Sequence, residues 1–428
     1  MKMTKILSLV MVLLMVAACL VACPSNEQET TAPDGPSDVV HDITMWVSDT
    51  DGVREFMLEQ VGAFKALHPE YKFNITVEKV GEGNAASQVL TDVATAPDIY
   101  CFAQDQINRL VEASALAPLG VQASQTVTEN NDAGSVGAAT VGDYIYAYPL
   151  TSDNGYFLFY DPSYITDEEA QTVEGIMAAC ERHTKKFAYN ATNGWYTAAF
   201  FFSHPVNGSA PICSSTWTYS ADGKTITGVE DNFNSQNGLI AMKGMRKITT
   251  AIDIFSDLDK GFHEDTIAAI NGIWSADALE ELFGEDIKAT KLPTFTVDGQ
   301  EYQMGSFSGY KLMGCKPQAN NPAKAKLCAD LALYLTSEEA QLERYYKFQW
   351  GPSNVNAQQN VDVMENKNLQ ALYLQQEFAQ PQGSIPGAWW AEMTQLGTIS
   401  GNPDYSTDEA LLAALEAYEK KINEQVVK

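Results

Sequence analysis

The sequence predicts an α/β fold in which a parallel sheet is covered by helices. Three observations carry this expectation. Strand-like and helix-like segments alternate from Ile43 onward, the mixed pattern continues through the second half, and no internal repeat of 20–50 residues interrupts it. With 428 residues, 45% hydrophobic and 10% aromatic, the chain can fill two or three domains or one large two-lobed body.

Lys2 and Lys5 precede an almost wholly apolar run from Ile6 to Val21. At about 16 residues this run is short for a bilayer core of roughly 30 Å and reads as a secretory signal. Leu20-Val21-Ala22-Cys23 looks like a bacterial lipobox, in which the cysteine becomes the lipidated first residue. Val16-Ala17-Ala18-Cys19 fits the same pattern, but lipidation at Cys19 would leave a second apolar stub, so Cys23 is preferred. Residues 1–22 are thus expected to be a signal peptide. Residues 23–42, rich in Pro, Ser, Thr and acid, are expected to form a flexible tether.

Ile43-Thr44-Met45-Trp46-Val47 reads as the first strand. Val53, Phe56, Met57, Val61, Phe64 and Leu67 recur at helical spacing, and Pro69 ends that helix. Phe73, Ile75 and Val77 alternate with polar residues as a second strand. A short helix from about Ser87 to Thr95 and a strand Asp98–Phe102 follow. Asn321-Pro322 marks a capped helix to about Leu335, and Thr336 with Glu339 marks the next as a capping box. Ser406 and Glu409 repeat that box before a final helix with Leu411, Leu415, Tyr418 and Ile422 on one face.

Lys plus Arg total 27 against 55 Asp plus Glu, a formal net charge of −28. Nucleic acid and anionic membrane surfaces need a positive footprint, so neither is expected as a partner. None of the five histidines falls at a metal-ligand spacing, no G-x-S-x-G elbow occurs, and Gly81-x-Gly83 lacks the rest of a phosphate loop. Asp253, Asp257 and Asp259 before Gly261 miss the spacing of a calcium loop and read as a solvated helix end. Cys101, Cys180, Cys213, Cys315 and Cys328 are an odd number without a C-x-x-C, and read as small buried hydrophobes. No catalytic set, metal or cofactor is therefore expected.

Aromatic side chains in polar, loop-like settings stand out. Phe102 precedes Ala103-Gln104-Asp105, and Trp195-Tyr196 follow Asn193-Gly194. Trp274 follows Asn271-Gly272, and Trp389-Trp390 follow Pro386-Gly387. Each could be ordinary core. Together they suit a carbohydrate, whose C–H faces pack on flat rings while its hydroxyls take in-plane hydrogen bonds.

With these residues in order along 43–428, the chain resembles the solute-binding proteins of ATP-driven (ABC) sugar importers, nearest to the maltodextrin binders. Ala96-Pro97-Asp98-Ile99, Tyr146-Ala147-Tyr148-Pro149-Leu150, Phe157-Leu158-Phe159-Tyr160 and Leu292-Pro293-Thr294-Phe295 are further landmarks. The resemblance implies a two-lobed periplasmic-binding-protein-like fold, each lobe a sheet flanked by helices, joined by crossing hinge segments near Thr151–Asn154, Gly305–Ser306 and Gln349–Ser353. The first lobe would span 43–152 and 305–350, the second 153–304 and 351–428. Phe102 and Asp105 would face the ligand from the first lobe, and Trp195, Trp274, Trp389 and Trp390 from the second. Asp153 or Asn154 would stand where the family has a cleft carboxylate.

The sequence also departs from the family. Ser48-Asp49-Thr50-Asp51 replaces a basic residue, with Asp49 placed at the ligand. Gln106 replaces another basic residue, Asn193 an acid, and Thr394 a late arginine. The implied function is a lipid-tethered, monomeric binding protein that captures maltooligosaccharides and hands them to membrane permease subunits. Another oligosaccharide as ligand, a secreted glycoside hydrolase, and a glycan-anchoring adhesin are the competing readings.

Overall fold

The computed structural model describes residues 39–220, 225–258, 261–383 and 385–426. The expected signal peptide, Cys23, most of the tether and Asp259 lie outside these residues. Strand β1 (His41–Val47) alternates buried and exposed positions and pairs in parallel with β2 (Phe73–Lys79). Helix α1 (Val53–Leu67) connects them and buries Val53, Phe56, Met57, Val61 and Phe64 on one face. The helix expected at 87–95 is instead Ala85–Val89. Asp92 explains the early stop: its carboxylate accepts from the Ala94 N–H and the Thr95 hydroxyl, a local turn that competes with helix.

Strand β3 (Ile99–Ala103) lies parallel to β1 and leads through a short turn into α2 (Ile107–Glu112). After β4 (Ala147–Thr151) the chain passes to a second sheet. That sheet uses β5 (Phe157–Tyr160), β6 (Lys186–Ala188), β7 (Phe255–Ser256), β8 (Thr266–Asn271) and β9 (Lys288–Thr290), in the order β7-β6-β8-β5-β9. Helices α3 (Gly194–Phe201) and α4 (Gln236–Thr249) belong to this lobe. The chain then returns as β10 (Lys311–Cys315), completing a first sheet of order β2-β1-β3-β10-β4. Helices α5 (Pro322–Leu335) and α6 (Glu338–Phe348) stay with the first lobe, where Arg344 of α6 donates to the Leu150 carbonyl. Helix α7 (Lys367–Gln376) packs on β9 and β5. Helices α8 (Gly387–Gly401) and α9 (Asp408–Glu424) close the second lobe. The fold is a two-lobed α/β architecture.

The sheets are mixed rather than wholly parallel. Strand β10 runs antiparallel to β3 and β4, and β5 runs antiparallel to β8. A strand arriving from the other lobe enters at the crossing, beside the ends where β3, β4 and β8 finish. Lys311 pairs with Ala103 and Thr151, and Phe157 with Asn271. Each incoming strand must therefore run the opposite way.

The two expected capping boxes are each displaced by one residue. Ser337, not Thr336, accepts from the Ala340 N–H, and Thr407, not Ser406, accepts from the Ala410 N–H. Where two hydroxyl residues are adjacent, the one in extended backbone takes the cap: Ser337 has ψ 166° and Thr407 ψ 154°. Asn321 caps α5 as expected, and Leu411, Leu415, Tyr418 and Ile422 form the buried face of α9.

Candidate functional site

A cavity of about 710 Å³ opens where the strands of both sheets end. Its first-lobe wall consists of the segments after the parallel strands: Asp49 after β1, Glu82 after β2, Asp105 in the turn after β3, and Arg109 on α2. Lys311, the first residue of β10, joins them. The facing wall holds Asn193, Trp195 and Tyr196 at the start of α3, Trp274 after β8, and Trp390 and Thr394 on α8. Asn154 and Gln382 line the cavity from the connecting segments.

Local sequence sets each of these positions. Asn193 caps α3 by accepting from the Trp195 N–H at 3.0 Å, which presents the indole at the first turn. Thr394 accepts from the Gly194 N–H at 2.9 Å and so ties α3 to α8. Trp195 and Trp274 have ring centroids 5.7 Å apart at 38°, while Tyr156 meets Trp195 edge-on at 4.7 Å. Trp195, Trp274 and Trp390 are each half-buried, so part of every indole is presented to the cavity. Half-buried rings with polar neighbours form stacking surfaces rather than core.

Close approach of α3 and α8 depends on glycine. A Cβ on Gly397 would lie 1.8 Å from the Ala191 carbonyl oxygen and 2.6 Å from Thr197 Oγ1. Backbone cannot yield as a flexible side chain would. Gly397→Ala is expected to lower stability by about 2 kcal/mol in urea unfolding. A change within about 0.5 kcal/mol, the range of ordinary surface substitutions, would show that the contact relaxes freely.

Asp105 links the two walls of the site. Its Oδ2 accepts from the Trp390 indole N–H at 3.0 Å, and its Oδ1 accepts from the Gln382 amide at 3.0 Å. The Gln382 oxygen in turn accepts from Asn154 at 2.8 Å. A first-lobe carboxylate is thereby bonded to a second-lobe helix. Burial pushes its carboxyl up to about 7, with the Arg109 guanidinium and the Trp390 N–H pulling the other way.

Of the residues expected at a ligand, Asp49, Asp105, Asn154, Asn193, Trp195, Trp274 and Trp390 share this cavity. Phe102, Asp153 and Trp389 do not line it, which corrects those three assignments. Along β3, Cys101 and Phe102 point to opposite faces, and Phe102 is buried with Tyr100, Ile107 and Leu110 beneath α2. Trp389 is fully buried against Phe233 and Phe307. Neighbouring residues on a helix point about 100° apart, so only Trp390 reaches the cleft. Asp153 is turned into the crossing, where it accepts from the Gly351 N–H at 2.6 Å. Glu82, Arg109, Lys311 and Gln382 were not singled out in the sequence. A lysine opening the otherwise apolar segment Leu312-Met313-Gly314-Cys315 was the available signal for one of them.

Among the described residues no group of three or more His, Cys, Asp or Glu side chains is arranged to hold a metal ion. The five cysteines described are free and buried.

Residues 59–371 match the family model described as bacterial extracellular solute-binding protein. No curated protein matches the chain. Among solved structures, the maltodextrin-binding protein of L. casei BL23 without ligand is 21% identical, with 90% of this chain and 100% of that chain covered at a TM-score of 0.69. The maltose/maltodextrin-binding domain of Bdellovibrio bacteriovorus bound to maltotriose is 18% identical, with 89% and 100% covered and a TM-score of 0.71. The GacH receptor of Streptomyces glaucescens, described unliganded and with acarbose, is 15% identical, with 90% and 98% covered and a TM-score of 0.70. At these identities the likeness is one of fold.

Proposed function

This chain belongs to the bacterial extracellular solute-binding proteins, and from that premise we propose that it captures α-glucan oligosaccharides between its lobes for an ABC importer. The observation that carries the reading is the cavity itself, where three half-buried indoles face a wall of carboxylates, amides and a lysine. Such a surface matches a sugar, apolar above and below its ring and hydrogen-bonding around its edge. The L. casei and Bdellovibrio neighbours are maltodextrin binders, and their shared fold supports the same ligand class here.

The mechanism needs no bond to be made or broken. A ligand touching Asp49 or Glu82 on one lobe and Trp195 or Trp274 on the other makes its full set of contacts only when the lobes are together. It therefore stabilises the closed form by its differential affinity. A micromolar dissociation constant corresponds to about −8 kcal/mol, within reach of several stacked rings and hydrogen bonds after association costs. No helix among the described residues is long and apolar enough to cross a membrane. Attachment through a lipid at Cys23, behind the acidic tether, supplies the anchor in this proposal.

Thermal-shift screening against maltose to maltotetraose, with xylo- and galacto-oligosaccharides alongside, tests the reading. At a ligand concentration a hundredfold above the dissociation constant, stabilisation by about 2.7 kcal/mol is expected. The maltooligosaccharides should raise the melting temperature by several degrees and emerge chemically intact. A rise confined to another series moves the specificity, and shortened products on chromatography would replace binding with hydrolysis.

A further inference from the structure

We propose that Lys311 and Glu82 form a hydroxyl-bridging pair that fixes one sugar ring beside Trp274. The proposal rests on oligosaccharide capture in this cavity and names two residues that set its specificity. Lys311 is only 6% exposed, yet it lines the cavity. It lies 5.1 Å from the Trp274 ring centroid and 4.5 Å from that of Trp350. Its Nζ is 3.6 Å from Glu82 Oε1, and among the described residues it donates no hydrogen bond. An ammonium carries three donors, so its capacity is almost wholly unused.

Glu82 shows the complementary deficit. It too is 6% exposed and lines the cavity. Oε2 accepts from the Ser48 hydroxyl at 3.2 Å, whereas Oε1 is buried without a hydrogen-bond partner. Its backbone is held in place, because the Glu82 carbonyl accepts from the Gln106 amide at 2.7 Å and from the Ala103 N–H at 3.2 Å. Gln106, which stands where the family carries a basic residue, therefore serves to position this loop. Asp153 and Arg344 add one further charge of each sign behind the pair.

A buried donor and a buried acceptor, both short of partners, define the group that satisfies both. It must accept from an ammonium and donate to a carboxylate. A hydroxyl does this with one atom. An anionic substituent would be repelled by Glu82, a cationic one by Lys311, and an apolar one would leave both groups unmet at a cost. The pair therefore selects a neutral polyhydroxy ligand. It also restores, from β10, a cation that the family places after the opening strand and that this chain lacks.

The test is titration calorimetry of the whole mature chain with maltotriose, xylotriose or galactotriose, whichever binds the wild type most tightly. Lys311→Met and Glu82→Gln are each expected to weaken binding about tenfold, since a hydrogen bond to a charged group is lost. The double variant is expected to fall no further than the weaker single variant, because one hydroxyl serves both groups. Single variants within twofold of wild type, or a double loss equal to the product of the two, overturn the proposal. Trp390→Ala is the control. If it alone weakens binding, sugar capture stands and the bridging pair falls. If the wild type binds none of the three sugars, capture itself falls and the pair with it. Circular dichroism confirms folding, and Glu82→Gln carries the test if Lys311→Met does not fold.

Discussion

Trp390→Ala is expected to weaken oligosaccharide binding by tenfold to about a hundredfold while leaving the lobes folded. Two losses act together. The stacking surface goes, and aromatic anchors at the centre of a binding site commonly contribute about 2 kcal/mol or more. The indole N–H also goes, which strips Asp105 Oδ2 of its second-lobe donor at 3.0 Å. A buried carboxylate oxygen left without that donor costs further free energy. Trp390 is half-buried beside Phe307, with centroids 5.3 Å apart, whereas Trp389 is sealed in the core. The paired substitution Trp389→Ala should therefore act mainly on stability, by about 3 kcal/mol or more. Calorimetry and urea unfolding on both variants separate the roles. Near-normal affinity in Trp390→Ala would remove stacking as the basis of recognition.

The tryptophan pair shows what could and could not be read from sequence. Both rings follow a proline–glycine turn, and composition alone gives them equal claim to the ligand. Helix geometry decides between them, and it depends on where α8 meets α3, a contact between residues some 200 apart in the chain. Strand parity settles Phe102 in the same way. Its neighbours Cys101 and Ala103 share the other face, but the side on which the cleft lies is fixed only once β10 returns. Elements with strong local signals were legible. The face of α1, the Asn321 cap and the buried stripe of α9 all follow from spacing within one segment. Glu82, Lys311 and Gln382 were not legible, because three segments from distant parts of the chain bring them to one cavity. Two cations, Arg109 on α2 and Lys311 at the start of β10, line the cavity from positions that no local pattern marks.

Stability should depend on pH through Asp105. Its carboxyl is pushed from an ordinary 3.8 up to about 7, first by burial, with Arg109 and the Trp390 N–H opposing. Burial, and then the charge of Asp105, also raise the hydroxyl of Tyr219. A carboxyl with a raised value in the folded state holds its proton more tightly there than in the unfolded chain. The folded state then binds more protons between 3.8 and about 7, and stability falls as pH rises through that window. The stabilisation is complete below 3.8 and is lost above about 7, a span corresponding to about 4 kcal/mol. Asp105→Asn keeps one acceptor and removes the titration. Urea unfolding from about pH 4 to about pH 8 should show the wild type losing stability relative to Asp105→Asn across the window, with the steepest change in its middle, where the folded form is still protonated and the unfolded form is not. Other carboxylates titrate equally in both proteins, so the difference isolates this group. Parallel curves would mean that Asp105 is solvated in the ligand-free protein, and that its bonds to Trp390 and Gln382 do not hold the lobes together. A wild type that loses stability relative to Asp105→Asn would show that the carboxyl is buried between the lobes without ligand, where the cost of burying its charge outweighs the stronger bond the ionised form accepts from Trp390.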